Sequence, residues 1–126
     1  MSKKIISTSH APAAIGPYSQ AVLAGDTLYC SGQIALNPAT GELVMDSITA
    51  ETEQVMTNVA AVLRAADMDF THVVKCSIFM SSMEHYAAVN TVYAKYFSSD
   101  PPAREAVAVK TLPKEVNVEI SVIAVR

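Results

Sequence analysis

The chain has 126 residues, just over half of them hydrophobic, and a formal charge of −3. That size suits one globular domain over residues 1–126 with a real core, and the mild acidity supplies no basic stripe for nucleic acid or an anionic membrane. No apolar run approaches the roughly 20 residues of a membrane span.

The two lysines near the start precede no apolar segment of the signal-peptide kind. Cys30 and Cys76 lie in apolar runs without CxxC or zinc-type spacing, so both read as reduced core thiols of a cytoplasmic protein.

Residues 3–7 predict a short first strand, and residues 9–17, with two prolines and a glycine, a loop. Residues 18–24 and 27–31 flank Gly25-Asp26, a compact hairpin signal. Ser31-Gly32 closes the second of these strands. A glycine there either makes a simple turn or lets backbone amides approach an anion.

Over residues 49–66 the period changes, with Val55, Met56, Val59, Val62, Leu63 and Ala66 recurring at three and four. This predicts a helix with Thr49 as cap and with Glu51 and Glu53 toward the positive end of its dipole. Residues 73–80 predict an apolar strand. A second helix is expected over residues 83–97, capped by Ser82 and burying Tyr86, Val89, Tyr93 and Phe97. Asn90 shares that stripe, and a buried amide needs partners, which a loop backbone or a ligand supplies equally well.

The double proline Pro101-Pro102 cannot sit inside a helix or a central strand, so it marks an abrupt start. Residues 103–109 then alternate like a half-buried strand, and residues 116–125 do the same. If the two form an antiparallel hairpin, Val107 and Val109 share a face with Val116, Val118 and Ile120. Arg104, Ala106, Glu119 and Ser121 then share the other. Such a face either binds an anion and activates a water or holds a cross-strand salt bridge. The order of elements also lets two helices cover only one side of the sheet, which directs the Arg104–Glu119 face toward another subunit. His10, His72 and His85 share no local motif, and no phosphate or dinucleotide fingerprint is present, so neither metal nor cofactor is expected.

From Ala11 to Val125 the chain resembles the RidA family, also called YjgF. The resemblance rests on the segment 11–21 (APAAIGPYSQA), on Ser31-Gly32-Gln33-Ile34, on the segment 87–93 (AAVNTVY), on Pro101-Pro102-Ala103-Arg104, and on Leu112-Pro113-Lys114 followed by Val118-Glu119-Ile120. It implies a chorismate-mutase-like α+β homotrimer, with a mixed sheet, two helices on one face and clefts between subunits. It also implies hydrolysis of 2-iminobutanoate and 2-iminopropanoate, released by pyridoxal-phosphate-dependent dehydratases, to 2-keto acids and ammonia. By position, Arg104 would hold the substrate carboxylate, Tyr18, Ser31, Gly32 and Asn90 would line the cleft, and Glu119 would position or activate water.

After the arginine the family commonly has Ser-Cys, whereas this chain has Glu105-Ala106. Ala106 removes the cleft thiol, and Glu105 falls on the opposite strand face from Arg104. An imine is already electrophilic and needs only a held carboxylate, a proton and a water, so the reaction calls for no cofactor. Two other classes stand beside it: a non-catalytic trimer binding small carboxylates or acting as a chaperone, and an RNA-cleaving translation inhibitor, against which the negative charge argues.

Overall fold

The alternating runs of small and β-branched residues become six strands of one sheet in the computed structural model, which describes residues 2–126. They are β1 (Lys3–Ile6), β2 (Ala21–Ala24), β3 (Thr27–Cys30), β4 (Val73–Met80), β5 (Ala103–Ala108) and β6 (Val118–Val125), in the spatial order β1-β2-β3-β6-β4-β5. Gly25, at φ +61°, makes the turn between β2 and β3. All pairs are antiparallel except β4–β5. That parallel step follows from helix α2 (Tyr86–Ala94), which carries the chain back to the start of β5. The other helix, α1 (Ile48–Ala65), links β3 to β4.

One face of the sheet is covered. Leu28 and Cys30 of β3, Cys76, Ile78 and Met80 of β4, and Val118, Ile120, Val122 and Ala124 of β6 are all buried there. They meet Val55, Met56, Val59, Val62 and Leu63 of α1 and Val89, Val92 and Tyr93 of α2. Both helices therefore lie on one side, as expected, and the architecture is α+β. The other face carries Lys75, Ser77 and Phe79 of β4 with Glu119, Ser121 and Ile123 of β6, all only half-buried, and the exposed Tyr29 and Val107. Among the described residues no helix is long and apolar enough to cross a membrane.

The hairpin expected between residues 103–109 and 116–125 does not form. β5 pairs with β4, Cys76 standing opposite Arg104 and Ile78 opposite Ala106, and β4 separates it from β6. Alternation assigns residues to two sets, but only the partner strand decides which set faces the core. Val107 is exposed on the uncovered face. Arg104 and Ala106 fall on the helix-covered side with Cys76, Ile78, Ile120 and Val122, whereas Glu119 stands opposite Phe79 and Ser121 opposite Ser77 on the uncovered side. The sheet itself thus divides the four residues expected on one polar face.

Smaller corrections concern the helices. Ser47, not Thr49, caps α1, its hydroxyl accepting from the Ala50 amide at 3.0 Å. Ser82 caps as expected, but it starts a single 3₁₀ turn before α2 begins. The second helix stops at Ala94 rather than Phe97, where i→i+3 bonds from Lys95 and Tyr96 tighten its end before Pro101-Pro102.

Glu51 does far more than face a dipole. It is fully buried, and one carboxylate oxygen accepts the amides of Asn117 (2.8 Å) and Val118 (3.0 Å) while the other accepts Asn117 Nδ2 at 3.1 Å. Glu53 likewise ties α1 to the end of α2, pairing with Lys95 and accepting the Tyr96 hydroxyl at 2.7 Å. Glu51→Ala strands two backbone amides at the start of β6, and each orphaned donor costs about 1–3 kcal/mol. Urea unfolding at fixed protein concentration is expected to show a loss of ~2–5 kcal/mol. An unchanged midpoint would mean that water replaces the carboxylate.

Candidate functional site

The spacing of Tyr86, Asn90 and Tyr93 puts the three side chains on one stripe of α2, and that stripe faces the edge strand β5. Arg104, near the start of β5, reaches across to it. Its guanidinium donates to Asn90 Oδ1 and to the Tyr86 hydroxyl, each at 2.8 Å. Its Cζ stands 4.9 Å from the centre of the Tyr93 ring and 5.6 Å from that of Tyr86. Asn90 thus binds neither loop backbone nor open space; it orients the arginine.

Two of the five N–H donors of Arg104 are engaged, leaving three for another partner. Among the described residues no carboxylate forms an ion pair with it. The fork is therefore positioned by neutral groups and two aromatic faces while its charge stays uncompensated, an arrangement suited to a carboxylate ligand. The expected alternative, a cross-strand salt bridge with Glu119, is absent. Beside Arg104 lies a cavity of about 350 Å³, walled by Asn90, Tyr93, Ala94, Phe97 and the Pro101–Pro102 corner. Ala106 is half-buried two residues further along β5, opposite Ile78.

The second cluster lies on the uncovered face, where β3 ends beside β6. Glu119 is half-buried and has no partner to stabilise its charge, so burial raises its carboxyl above the ordinary carboxylate range. Gly32 sits against it. A Cβ at Gly32 would stand 2.6 Å from Glu119 Oε2, so glycine is needed for the carboxylate to occupy this place. Tyr18 is exposed and, with Gly32, Ile15 and Ile34, lines a small cavity of about 80 Å³. Ser31 donates its hydroxyl to the Ser19 carbonyl at 2.6 Å, joining the end of β3 to the segment carrying Tyr18.

Gln20 holds that segment from below. Its side chain is buried, accepts from the Thr8 amide at 2.7 Å, and donates to the carbonyls of Thr8 (3.0 Å), Ala11 (3.3 Å) and Pro12 (2.7 Å).

The structure accordingly brings Arg104, Asn90 and Ala106 together, and Tyr18, Ser31, Gly32 and Glu119 together, but places the two groups on opposite sides of the sheet. Sequence reasoning assigned Tyr86 to the buried stripe, yet it is exposed and holds the arginine. Its position one turn before Asn90 was the available signal. Glu105 turns away from Arg104, bound to Lys75 (3.0 Å) and the Ser77 hydroxyl.

Burial disfavours the thiolate form of both cysteines. Burial pushes Cys30 up to about 12 and raises Cys76 as well. Among the described residues no three His, Cys, Asp or Glu side chains cluster closely enough to hold a metal ion.

The raised Glu119 carboxyl predicts a pH-dependent stability effect. Above its folded pKa the group must ionise against burial, whereas the unfolded carboxyl ionises freely near 4.3, so it costs stability at neutral pH and nothing below the unfolded value. Glu119→Gln should therefore be more stable than the parent at pH 7, the difference vanishing toward pH 4. Equal melting curves at both pH values would show that the carboxylate is not desolvated.

A profile described as endoribonuclease L-PSP matches residues 8–126. The chain is 50% identical over 124 residues to a 2-iminobutanoate/2-iminopropanoate deaminase of Capra hircus, covering 98% of this chain and 90% of that protein. It is equally similar to protein DfrA of Myxococcus xanthus, at 50% identity over 127 residues, covering 99% of this chain and 97% of that protein. Among solved structures, E. coli TdcF with bound serine superposes with a TM-score of 0.93 at 38% identity, covering 98% of each chain.

Proposed function

This chain belongs to the endoribonuclease L-PSP family, also known as the RidA or YjgF family, and we propose that within it the protein is a 2-imino acid deaminase. Its substrates would be 2-iminobutanoate and 2-iminopropanoate, released by dehydratases in the cytoplasm and hydrolysed to 2-keto acids and ammonia. The observation that carries this reading is Arg104, a preset guanidinium with free donors and no acidic partner. The deaminase name of the goat relative and the serine bound to TdcF support a small amino-acid-like ligand.

In the proposed reaction the substrate carboxylate lies on the free N–H groups of Arg104. Glu119 accepts a proton from water as its oxygen bonds to C2 and the C=N π pair moves to nitrogen. The protonated Glu119 then returns the proton to that nitrogen. Glu119 next takes the hydroxyl proton of this carbinolamine and passes it to the amino nitrogen, so that ammonia leaves as the C–N bond breaks and the C=O π bond forms. A raised carboxyl pKa suits a group that takes and gives the same proton.

Because the sheet separates Arg104 from Glu119, one copy would supply Arg104, Asn90 and Ala106 and a neighbouring copy would supply Tyr18, Ser31, Gly32 and Glu119. The chorismate-mutase-like homotrimer implied by the sequence resemblance closes three such clefts. The uncovered sheet face, with exposed Tyr29 and Val107, is the surface available for this assembly.

The endoribonuclease description of the family motivates a second reading. A net charge of −3 and a single guanidinium at the cavity argue against a backbone that needs several cations.

A coupled assay with freshly generated 2-iminobutanoate tests the proposal. Arg104→Ala should abolish hydrolysis and weaken 2-ketobutanoate binding by about thirty- to several-thousand-fold, since losing one partner of a desolvated charge pair costs roughly 2–5 kcal/mol. Arg104→Lys recovers only part, because an ammonium lacks the fork. Normal keto-acid binding by Arg104→Ala would remove the clamp, and a monomer mass by light scattering would remove the shared cleft. Glu119→Gln should retain binding and lose ~10²–10⁴-fold in turnover.

Gly32→Ala is expected to fold normally, since the three atoms nearest its new methyl all belong to the Glu119 side chain and none to backbone. Displacing that carboxylate should nevertheless lower turnover on the order of 10²-fold. Full activity in this variant would place the water elsewhere.

A further inference from the structure

We propose that the cavity between the end of α2 and the Pro101–Pro102 corner is the side-chain pocket of this site, so that 2-imino acids whose side chain carries four or more carbons are turned over in preference to the shorter 2-iminobutanoate and 2-iminopropanoate. The proposal rests on the deaminase reading for its reaction but on the cavity for its selectivity. Arg104 is the only charged group among the lining residues. Apart from Asn90, whose Oδ1 accepts from Arg104, the surface around it is mostly hydrocarbon: the Tyr93 and Phe97 rings, the Ala94 methyl and two pyrrolidines. A ligand complementary to this lining has one anionic end and an apolar remainder.

The size points the same way. A volume of about 350 Å³ falls within the range of ligand pockets, roughly 300–1,000 Å³, and greatly exceeds what an ethyl side chain fills. The shape is also preset. Phe97 packs 4.7 Å from Tyr93 and edge-on at 5.4 Å from Phe70, and prolines have little freedom to collapse inward. A short side chain would leave these walls in contact with water. Each further buried methylene adds roughly fourfold in affinity. Ala94 is the small residue that keeps the space open, and it is exposed on the last turn of α2, where a larger side chain does not disturb the core.

The test compares the parent protein with Ala94→Leu and Ala94→Phe. For each, kcat/KM is measured on 2-iminobutanoate and 2-imino-4-methylpentanoate, and calorimetry gives the affinity for the two corresponding 2-keto acids. The parent should favour the longer substrate by about tenfold, from two additional buried carbons. That preference should fall at least tenfold in Ala94→Phe, with Ala94→Leu between, and the keto-acid affinities should follow. A parent that prefers 2-iminobutanoate, or a ratio unmoved in both variants, overturns the pocket while leaving the deaminase reading intact. Keto-acid affinities that shift as described without hydrolysis of either imine would support the pocket and overturn the reaction.

Discussion

The buried carboxylate of Glu51 fixes the position of the strand on which both halves of the site depend. β6 is last in the chain yet lies in the middle of the sheet, between β3 and β4. Its register decides whether Val118, Ile120 and Val122 enter the core, and a slip by one residue would exchange them for Glu119 and Ser121. Glu51 sets this register at its first residue by accepting the amides of Asn117 and Val118. The preceding turn needs such an anchor, because Lys114 and Glu115 both adopt positive φ, near +56° and +55°. Left-handed conformations cost a non-glycine residue on the order of 1–2 kcal/mol. A buried carboxylate is itself expensive, and three N–H donors together with the N-terminal end of α1 offset that cost.

The same register explains how one small chain keeps an arginine and a glutamate that do not neutralise each other. In one sheet face they would form an ordinary cross-strand pair, with neither free to act. Here β4 and the sheet plane lie between them. Arg104 is stabilised by an amide, a phenol and two ring faces, none of which competes for its charge. Glu119 is held unpaired beside Gly32, so its proton affinity rises. That separation leaves both groups without an opposite charge, and in the proposed assembly the surface of a second copy would bridge it.

Much of this was legible in the sequence, because periodicity reports directly on burial. The two helices, the β2–β3 hairpin and the stripe bearing Asn90 follow from spacing alone. The pairing of β5 does not. Its alternation fits an antiparallel hairpin with β6 as well as a parallel edge beside β4, and only the crossover through α2 distinguishes the two. The Val107 and Val109 side chains suggested a core face, although the strand is an edge whose valine at 107 is exposed. The roles of Glu51 and Gln20 were hidden for another reason. Each satisfies backbone groups far away in sequence, 66 and 67 residues for Glu51 and up to 12 for Gln20, and no local pattern encodes such a partner.

The Glu105-Ala106 pair after the arginine marks how far the local chemistry can change without disturbing this arrangement. A glutamate next to the arginine proposed to bind a carboxylate would compete with the ligand if it shared the same face. Strand parity sends Glu105 to the uncovered face, where Lys75 and Ser77 lower its pKa by hydrogen bonding and hold it there. Alanine at 106 brings no thiol to the cavity, and burial raises the pKa of Cys30 and of Cys76, which stands opposite Arg104. What remains is an oriented positive charge on one side and an unpaired carboxylate on the other. In the proposed reaction those two groups would add water to a substrate that is already electrophilic.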